Sequence, residues 1–193
     1  MVRRRRLNGS GWGLVLLLLL ALACGPAAQK TALPQPPGGA IQPDATASKR
    51  VQQNYRQALQ ESSAQRPFRL LITNEEVTSL VALALKERPD IPFTNPQIWF
   101  AGGKIYITGQ VTGLAPAALP ALIVAAPVVS EGEPLRLAIE RAQMGGFDFP
   151  DSLIESLTET VNESLADLQH DVKISAVEVR EGAVLLTGRR VDP

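Results

Sequence analysis

What this chain lacks narrows its chemistry before any motif is read. Its 193 residues hold one cysteine and one histidine, and aromatic side chains make up 5% of the total. A single cysteine excludes a disulfide within the chain, which is unusual for an exported protein. A single histidine excludes any site built on two, and neither an H-E-x-x-H nor a G-x-S-x-G segment occurs. His170 stands beside Asp171 and near Asp167. A triad also needs a positioned nucleophile, and none is signalled, so His170 is better read as a cation at a helix C-terminus. One histidine and scattered carboxylates give no metal-ligand spacing. The sequence therefore predicts no catalytic residue, no metal and no cofactor.

Charge excludes another class. Arg3–Arg6 precede an apolar run, Leu14–Leu22, and small residues lead up to Cys24. The run falls short of the roughly 20 residues that a bilayer-spanning helix requires. Residues 1–23 therefore read as a secretory signal. Removing its four arginines leaves 15 basic residues against 19 acidic ones, because residues 1–23 hold no acidic side chain. Phosphate neutralisation by Lys and Arg supplies most nucleic-acid affinity, so an acidic exported domain excludes nucleic acid as a partner.

The lone cysteine has a use. The segment ending at Cys24 resembles a bacterial lipobox, in which the thiol is acylated and the cysteine becomes the mature N-terminus. Ala21 stands where that pattern usually has Leu, and Ala21-Leu22-Ala23 also fits ordinary A-x-A cleavage. Ordinary cleavage would leave an unpaired thiol in an oxidising compartment, which favours lipidation. Cys24 is then the membrane anchor, since no later segment is long and apolar enough to span a bilayer. The expected location is extracytoplasmic and membrane-anchored, in a bacterial cell envelope.

Residues 24–47 carry Pro26, Pro34, Pro36, Pro37 and Pro43 with few large apolar side chains, and read as a disordered tether. Residues 48–65 are polar, with Val51, Tyr55 and Leu59 at four-residue spacing, which predicts a surface helix. Residues 66–193 form the folded domain. Phe68, Leu70 and Ile72 alternate as a short strand. Thr73 and Glu76 make a capping box for a helix whose apolar stripe is Val77, Leu80, Val81, Ala84 and Leu85. Ile98–Phe100 and Lys104–Thr112 flank a glycine turn. Ala121–Ser130 is a strand whose Pro127 calls for an edge position or a bulge. Glu131–Pro134 turns the chain into a strand carrying Leu135, Leu137 and Ile139. Pro150 then opens a second helix, with Leu153, Ile154, Leu157, Val161, Leu165 and Leu168 on one face and Glu155, Glu159, Glu163 and Asp167 on the other. Asn162-Glu163-Ser164 matches a glycosylation sequon by chance. A last hairpin follows, with a change of parity that predicts a bulge near Ala176.

That hairpin has an earlier counterpart. Ile98–Gly109 and Val177–Gly188 align without a gap, setting Gly103 on Gly182, Ile105 on Val184, Ile107 on Leu186 and Gly109 on Gly188. The prediction is two helix-plus-hairpin units closing over one apolar interior. The fold class is α+β: a curved antiparallel sheet of about six strands with two packed helices, in the order α-ββ-ββ-α-ββ.

The segment AQMGGFDFPDSLIESLTETVNESL, followed by KISAVEVREGAVLLTGR, is similar to the LmeA-like phospholipid-binding family of tubular lipid-binding (TULIP-like) folds. The likeness spans about residues 66–191. It implies a long helix over a curled sheet with acyl chains between, and it brings no fixed polar site. The candidate lining is Trp99, Ile105, Ile107, Leu137, Ile139, Leu153, Leu157, Val161, Val184 and Leu186. Strands apolar on both faces, as at Ile123-Val124, Leu185-Leu186 and Trp99, exceed what a small core requires. Two readings follow. One is a non-enzymatic carrier of a phospholipid or acyl chain. The alternative is an envelope interaction or scaffold module with a fully packed core, whose protein partner the sequence leaves unnamed.

Overall fold

The structure, a computed structural model, describes residues 33–63, 65–130, 133–167 and 169–191, apart from the side chains of Ser164 and Asp167. The predicted signal segment, Cys24 and the first part of the predicted tether lie outside the described residues, as do Glu131, Gly132 and Leu168.

The chain is α+β. In order it forms α1 (Ala45–Glu61), β1 (Phe68–Thr73), α2 (Asn74–Lys86), β2 (Phe93–Ala101), β3 (Lys104–Val111) and β4 (Leu119–Val128). Then come β5 (Arg136–Met144), β6 (Phe147–Asp148), α3 (Asp151–Asp167), β7 (Val172–Arg180) and β8 (Ala183–Arg190). The expectation of one sheet of about six strands needs correction. A sheet of three, ordered β1–β8–β7, lies beside a sheet of five, ordered β2–β3–β4–β5–β6, and every pairing is antiparallel. The division arises because β1 pairs with β8, Phe68 opposite Gly188 and Ile72 opposite Val184. A two-stranded hairpin alone is marginal in water, and β1 gives the last one a third strand.

The tether differs from expectation at its C-terminal end. Ile41 donates its N–H to Gln97 Oε1 at 2.7 Å, and Gln97 Nε2 donates back to the Ile41 carbonyl at 3.0 Å. Asp44 then caps α1 by accepting the Ala47 N–H at 3.0 Å. The helix starts three residues ahead of the predicted Ser48, and Ala47, Ser48 and Val51 are buried while Tyr55 is exposed.

Local signals are realised where they need only near neighbours. Thr73 Oγ1 accepts the Glu76 N–H at 3.2 Å and the Glu76 carboxylate accepts the Thr73 N–H at 3.0 Å, the full capping box. Arg50 of α1 adds a bond to Glu76 Oε1 at 2.8 Å. Burial alone would raise the Glu76 pKa, but the Thr73 amide, Arg50 and the Thr73 hydroxyl outweigh it and hold the carboxylate below its ordinary value. The bulge near Ala176 is present: the register shifts between Ile174 and Ala176, leaving Ser175 extra. Pro127 sits in β4, an inner strand with a register shift at Val124/Ala125, so the edge alternative is corrected. The pairing of β4 with β3 ends at Ala125, so Pro127 withholds no ladder hydrogen bond from that strand.

The twin hairpins share a device. Gly103 and Gly182 turn them with φ of 77° and 81°. At the far ends, Gly109 lies under the ring of Phe93 and Gly188 under that of Phe68. A Cβ at Gly109 would meet Phe93 Cε1 at 2.9 Å, and one at Gly188 would meet Phe68 Cζ and the Lys173 carbonyl, each at 2.8 Å. An aromatic ring covers the bare backbone in each case.

The single apolar interior is also corrected, because two distinct clusters form. Phe68, Leu70, Val172 and Ile174 gather on the three-stranded sheet beneath Ala58 and Leu59 of α1. Ala125, Ile139 and Ala142 gather on the five-stranded sheet beneath Ile154, Leu157 and Val161 of α3. Each sheet has recruited its own helix.

Candidate functional site

The site centres on the seat of α3. Residues directly paired across antiparallel strands share a face. One row of the five-stranded sheet is therefore Phe100, Ile105, Ala125 and Ile139, and the next is Ile98, Ile107, Ile123 and Ala142. This is the face that α3 covers. Pro150 starts the helix by accepting N–H groups from Leu153 and Ile154 at 2.9 and 3.2 Å. Small Ala125 and Ala142 beneath it let the helix approach β4 and β5 closely, with 2% and 1% exposure.

The seat is light. Leu153 is 42% exposed, and Ile154, Leu157, Val161 and Leu165 are only half-buried. No described side chain of α3 is fully buried. On the sheet, Ile105, Ile107 and Ile123 are half-buried as well. Fully burying one Leu or Ile is worth about 1.5–3 kcal/mol, so this pair of facing stripes falls short of the stabilisation its composition could supply.

Polar latches, one on α3 and one just past its end, hold the helix where apolar packing is thin. The Asn162 side chain accepts the Leu137 N–H at 2.7 Å and donates to the Leu137 carbonyl at 2.9 Å. Gln169 does the same at Leu135, at 2.9 and 3.0 Å. Both amides occupy places that a neighbouring strand would take on the free half of β5, since β6 pairs only near Gln143 and Met144. The other edge of this sheet is closed in a like manner. Thr78 Oγ1 donates to the Ile98 carbonyl at 2.9 Å and accepts its N–H at 3.0 Å. Asn74 Oδ1 accepts the Phe100 N–H at 2.9 Å, and Gly182 donates its N–H to the Phe100 carbonyl at 3.0 Å. The second hairpin turn thus docks against β2.

An open trough of about 810 Å³ runs along the outer flank of α3. Ile139, Ile154, Thr158 and Asn162 line it together with Glu155 and Arg136. Glu155, Glu159 and Glu163 are exposed, as their sequence positions predict.

The structure brings together six of the ten candidate lining residues and separates four. Ile105, Ile107, Leu137 and Ile139 share the sheet face that α3 covers, and Leu157 and Val161 pack onto it, while Leu153 is left 42% exposed in the first turn of the helix. Trp99 lies on the opposite face, 3% exposed and stacked on Tyr106 with ring centroids 5.1 Å apart. Val184 and Leu186 belong to the other sheet, and Leu186 packs in the other cluster. The pairing of the twin hairpins in sequence placed them alike, but each hairpin ended in a different sheet.

Sequence reasoning missed Thr78, Asn162 and Gln169. The predicted stripe of α2 is only partly buried, and Thr78 and Ser79 are buried in its place. A helix laid against a strand edge favours small hydroxyl side chains, which allow close approach and satisfy the backbone. A sequence signal exists at Asn162, an amide beside the apolar stripe, where the sequon pattern masks it. Among the described residues no group of three or more His, Cys, Asp or Glu side chains could hold a metal. His170 is exposed. Among the described residues no helix is long and apolar enough to cross a membrane.

Comparison with protein-family models, curated proteins and solved structures finds no match to this chain.

Proposed function

We propose that the chain is an extracytoplasmic, membrane-anchored lipoprotein that binds or carries an acyl chain or phospholipid beneath α3, without chemistry of its own. The observation that carries this reading is the half-buried state of the apolar side chains on both sides of the seat, Ile154, Leu157 and Val161 on α3 and Ile105, Ile107 and Ile123 on the sheet face it covers. A ligand tail entering there would complete burial on both sides at about 25 cal/mol per Å² of apolar surface removed from water. Amide latches suit such a role, because they can release and reform without leaving a cavity in a packed core. The LmeA-like resemblance and the lipidation of Cys24 belong to the same proposal.

Organic extraction and mass spectrometry of delipidated, reloaded protein tests it. Recovery of phospholipid at a fixed ratio to protein is the expected result; protein that stays empty under the same loading counts against it.

The scaffold alternative, in its strand-pairing form, would use an open sheet edge. On the five-stranded sheet the outward groups of Ile98, Phe100, Leu135 and Leu137 are already hydrogen-bonded, and Trp99 is buried. These bonds favour the carrier reading over edge pairing at those strands.

A further inference from the structure

Three connections meet at one end of the five-stranded sheet. The register sets Phe93, Val111 and Leu119 on one row, and Ala121, Met144 and Phe147 two residues further in. The links 87–92, 112–118 and 145–146 therefore emerge side by side. Two hydrogen bonds tie them: Thr112 N–H to the Pro92 carbonyl at 3.0 Å and Gly145 N–H to the Pro120 carbonyl at 2.8 Å.

The first two connections each display a large apolar side chain to solvent, and the third leads straight into one at the start of β6. Ile91 is 38% exposed, Leu114 64% and Phe147 79%. Surface turns are ordinarily rich in polar residues. Here no charged residue occurs anywhere from Ile105 to Ser130, or from Ala142 to Phe147. Four of the flanking charges are matched within the protein, Arg88 with Asp90 and Arg141 with Asp148, each at 3.3 Å, and Lys86 and Glu87 stand next to each other at the start of the first connection. The opposite end of the same sheet is different, with Lys104, Glu133, Arg136 and Glu140 around its turns.

The geometry points to this end as a membrane-contacting tip, whose Ile91, Leu114 and Phe147 enter the boundary between headgroups and acyl chains of a phospholipid surface. Side chains on two separate turns and at the start of β6 suit a fluid surface that moulds around them. Paired flanking charges lower the expense of approaching the interface and give no attraction for anionic headgroups. The inference rests on the lipid-carrier reading and adds its port, because α3 begins beside the same end and Leu153 stands exposed in its first turn.

The test uses the full chain with Cys24→Ser, so that one introduced cysteine carries an environment-sensitive fluorophore. Labels go at Leu114, at Phe147 and at Val128, which is 42% exposed at the opposite end of the sheet. The protein is mixed with phosphatidylcholine vesicles bearing a lipid-attached nitroxide. The expected result is severalfold stronger quenching at positions 114 and 147 than at 128, unchanged by anionic lipid or by molar salt. Equal quenching at the three positions overturns the proposal. So does shielding of positions 114 and 147 from aqueous iodide in envelope fractions without lipid quenching in vesicles, which is the behaviour of a protein-docking surface. Lipid extraction separates the two readings: tip quenching with no recovered lipid keeps the tip and removes the carrier.

Discussion

The side chain of Asn162 grips both backbone groups of Leu137, accepting the N–H at 2.7 Å and donating to the carbonyl at 2.9 Å. One helical amide thus takes the place of a strand residue on the β5 edge. Asn162→Leu keeps an apolar body of similar reach and removes both bonds. Leaving partly buried backbone groups unmet costs about 1–3 kcal/mol, so the variant should unfold at correspondingly lower denaturant. Hydrogen exchange reads the local effect: faster exchange at Leu137 with little change at Ile98 supports the latch, and uniform acceleration across both edges would mean a general loss of packing.

The corresponding bond on the other edge is deeper. Thr78 has 0% exposure and bridges both backbone groups of Ile98. Thr78→Val is isosteric and strands those groups away from water, which should lower stability by about 1–3 kcal/mol. Thr78→Ser retains the hydroxyl and should recover most of the loss. Equal destabilisation by both variants would trace the effect to the methyl group.

The two ring-covered glycines separate cleanly. The three nearest neighbours of a Cβ at Gly109 all belong to the Phe93 ring, whereas one at Gly188 also meets the Lys173 carbonyl. Overpacking of this kind costs about 1–3 kcal/mol. Gly109→Ala should lose most of its penalty in a Phe93→Leu background, while Gly188→Ala should keep a residual one in a Phe68→Leu background. Double-mutant cycles from chemical denaturation measure the difference, and equal rescue at both sites would contradict the steric account.

Acid should act through Glu76, whose side chain is 5% exposed and bonded to Arg50 and Thr73. Its folded pKa lies below the ordinary value of 4.5. The stabilisation is therefore complete above the unfolded value and is lost as pH falls through the lower folded value. Midpoints measured from pH 6 down to pH 3 should drop more steeply for the native chain than for Glu76→Gln. Parallel profiles would remove Glu76 from the acid response.

Much of this fold is written in local sequence, and the remainder depends on contacts between distant residues. The capping box at Thr73 and Glu76, the turns at Gly103 and Gly182, the bulge at Ser175 and the start at Pro150 each depend on residues a few positions apart. Pairing of Phe68 with Gly188 spans most of the domain, and alternation in either strand does not specify its partner. For the same reason the repeated hairpins looked like halves of one site, yet Val184 and Leu186 lie in the other sheet from Ile105 and Ile107. Thr78 was illegible as an edge ligand because a polar residue on a helix usually signals a wet face, and Gln169 because it lies just past the end of α3, outside its apolar periodicity. The stripe on α3 foreshadows its seat; how lightly the helix rests there depends on the distant strands beneath it.

The most direct test is the lipid content of native protein beside Ile107→Asp, which places a carboxylate on the half-buried floor beneath α3. Phospholipid extracted from folded protein and counted by mass spectrometry should stand in fixed ratio to the native chain and fall at least severalfold in the variant. Native protein that remains empty after reloading, or a variant that retains its lipid in full, would contradict the account.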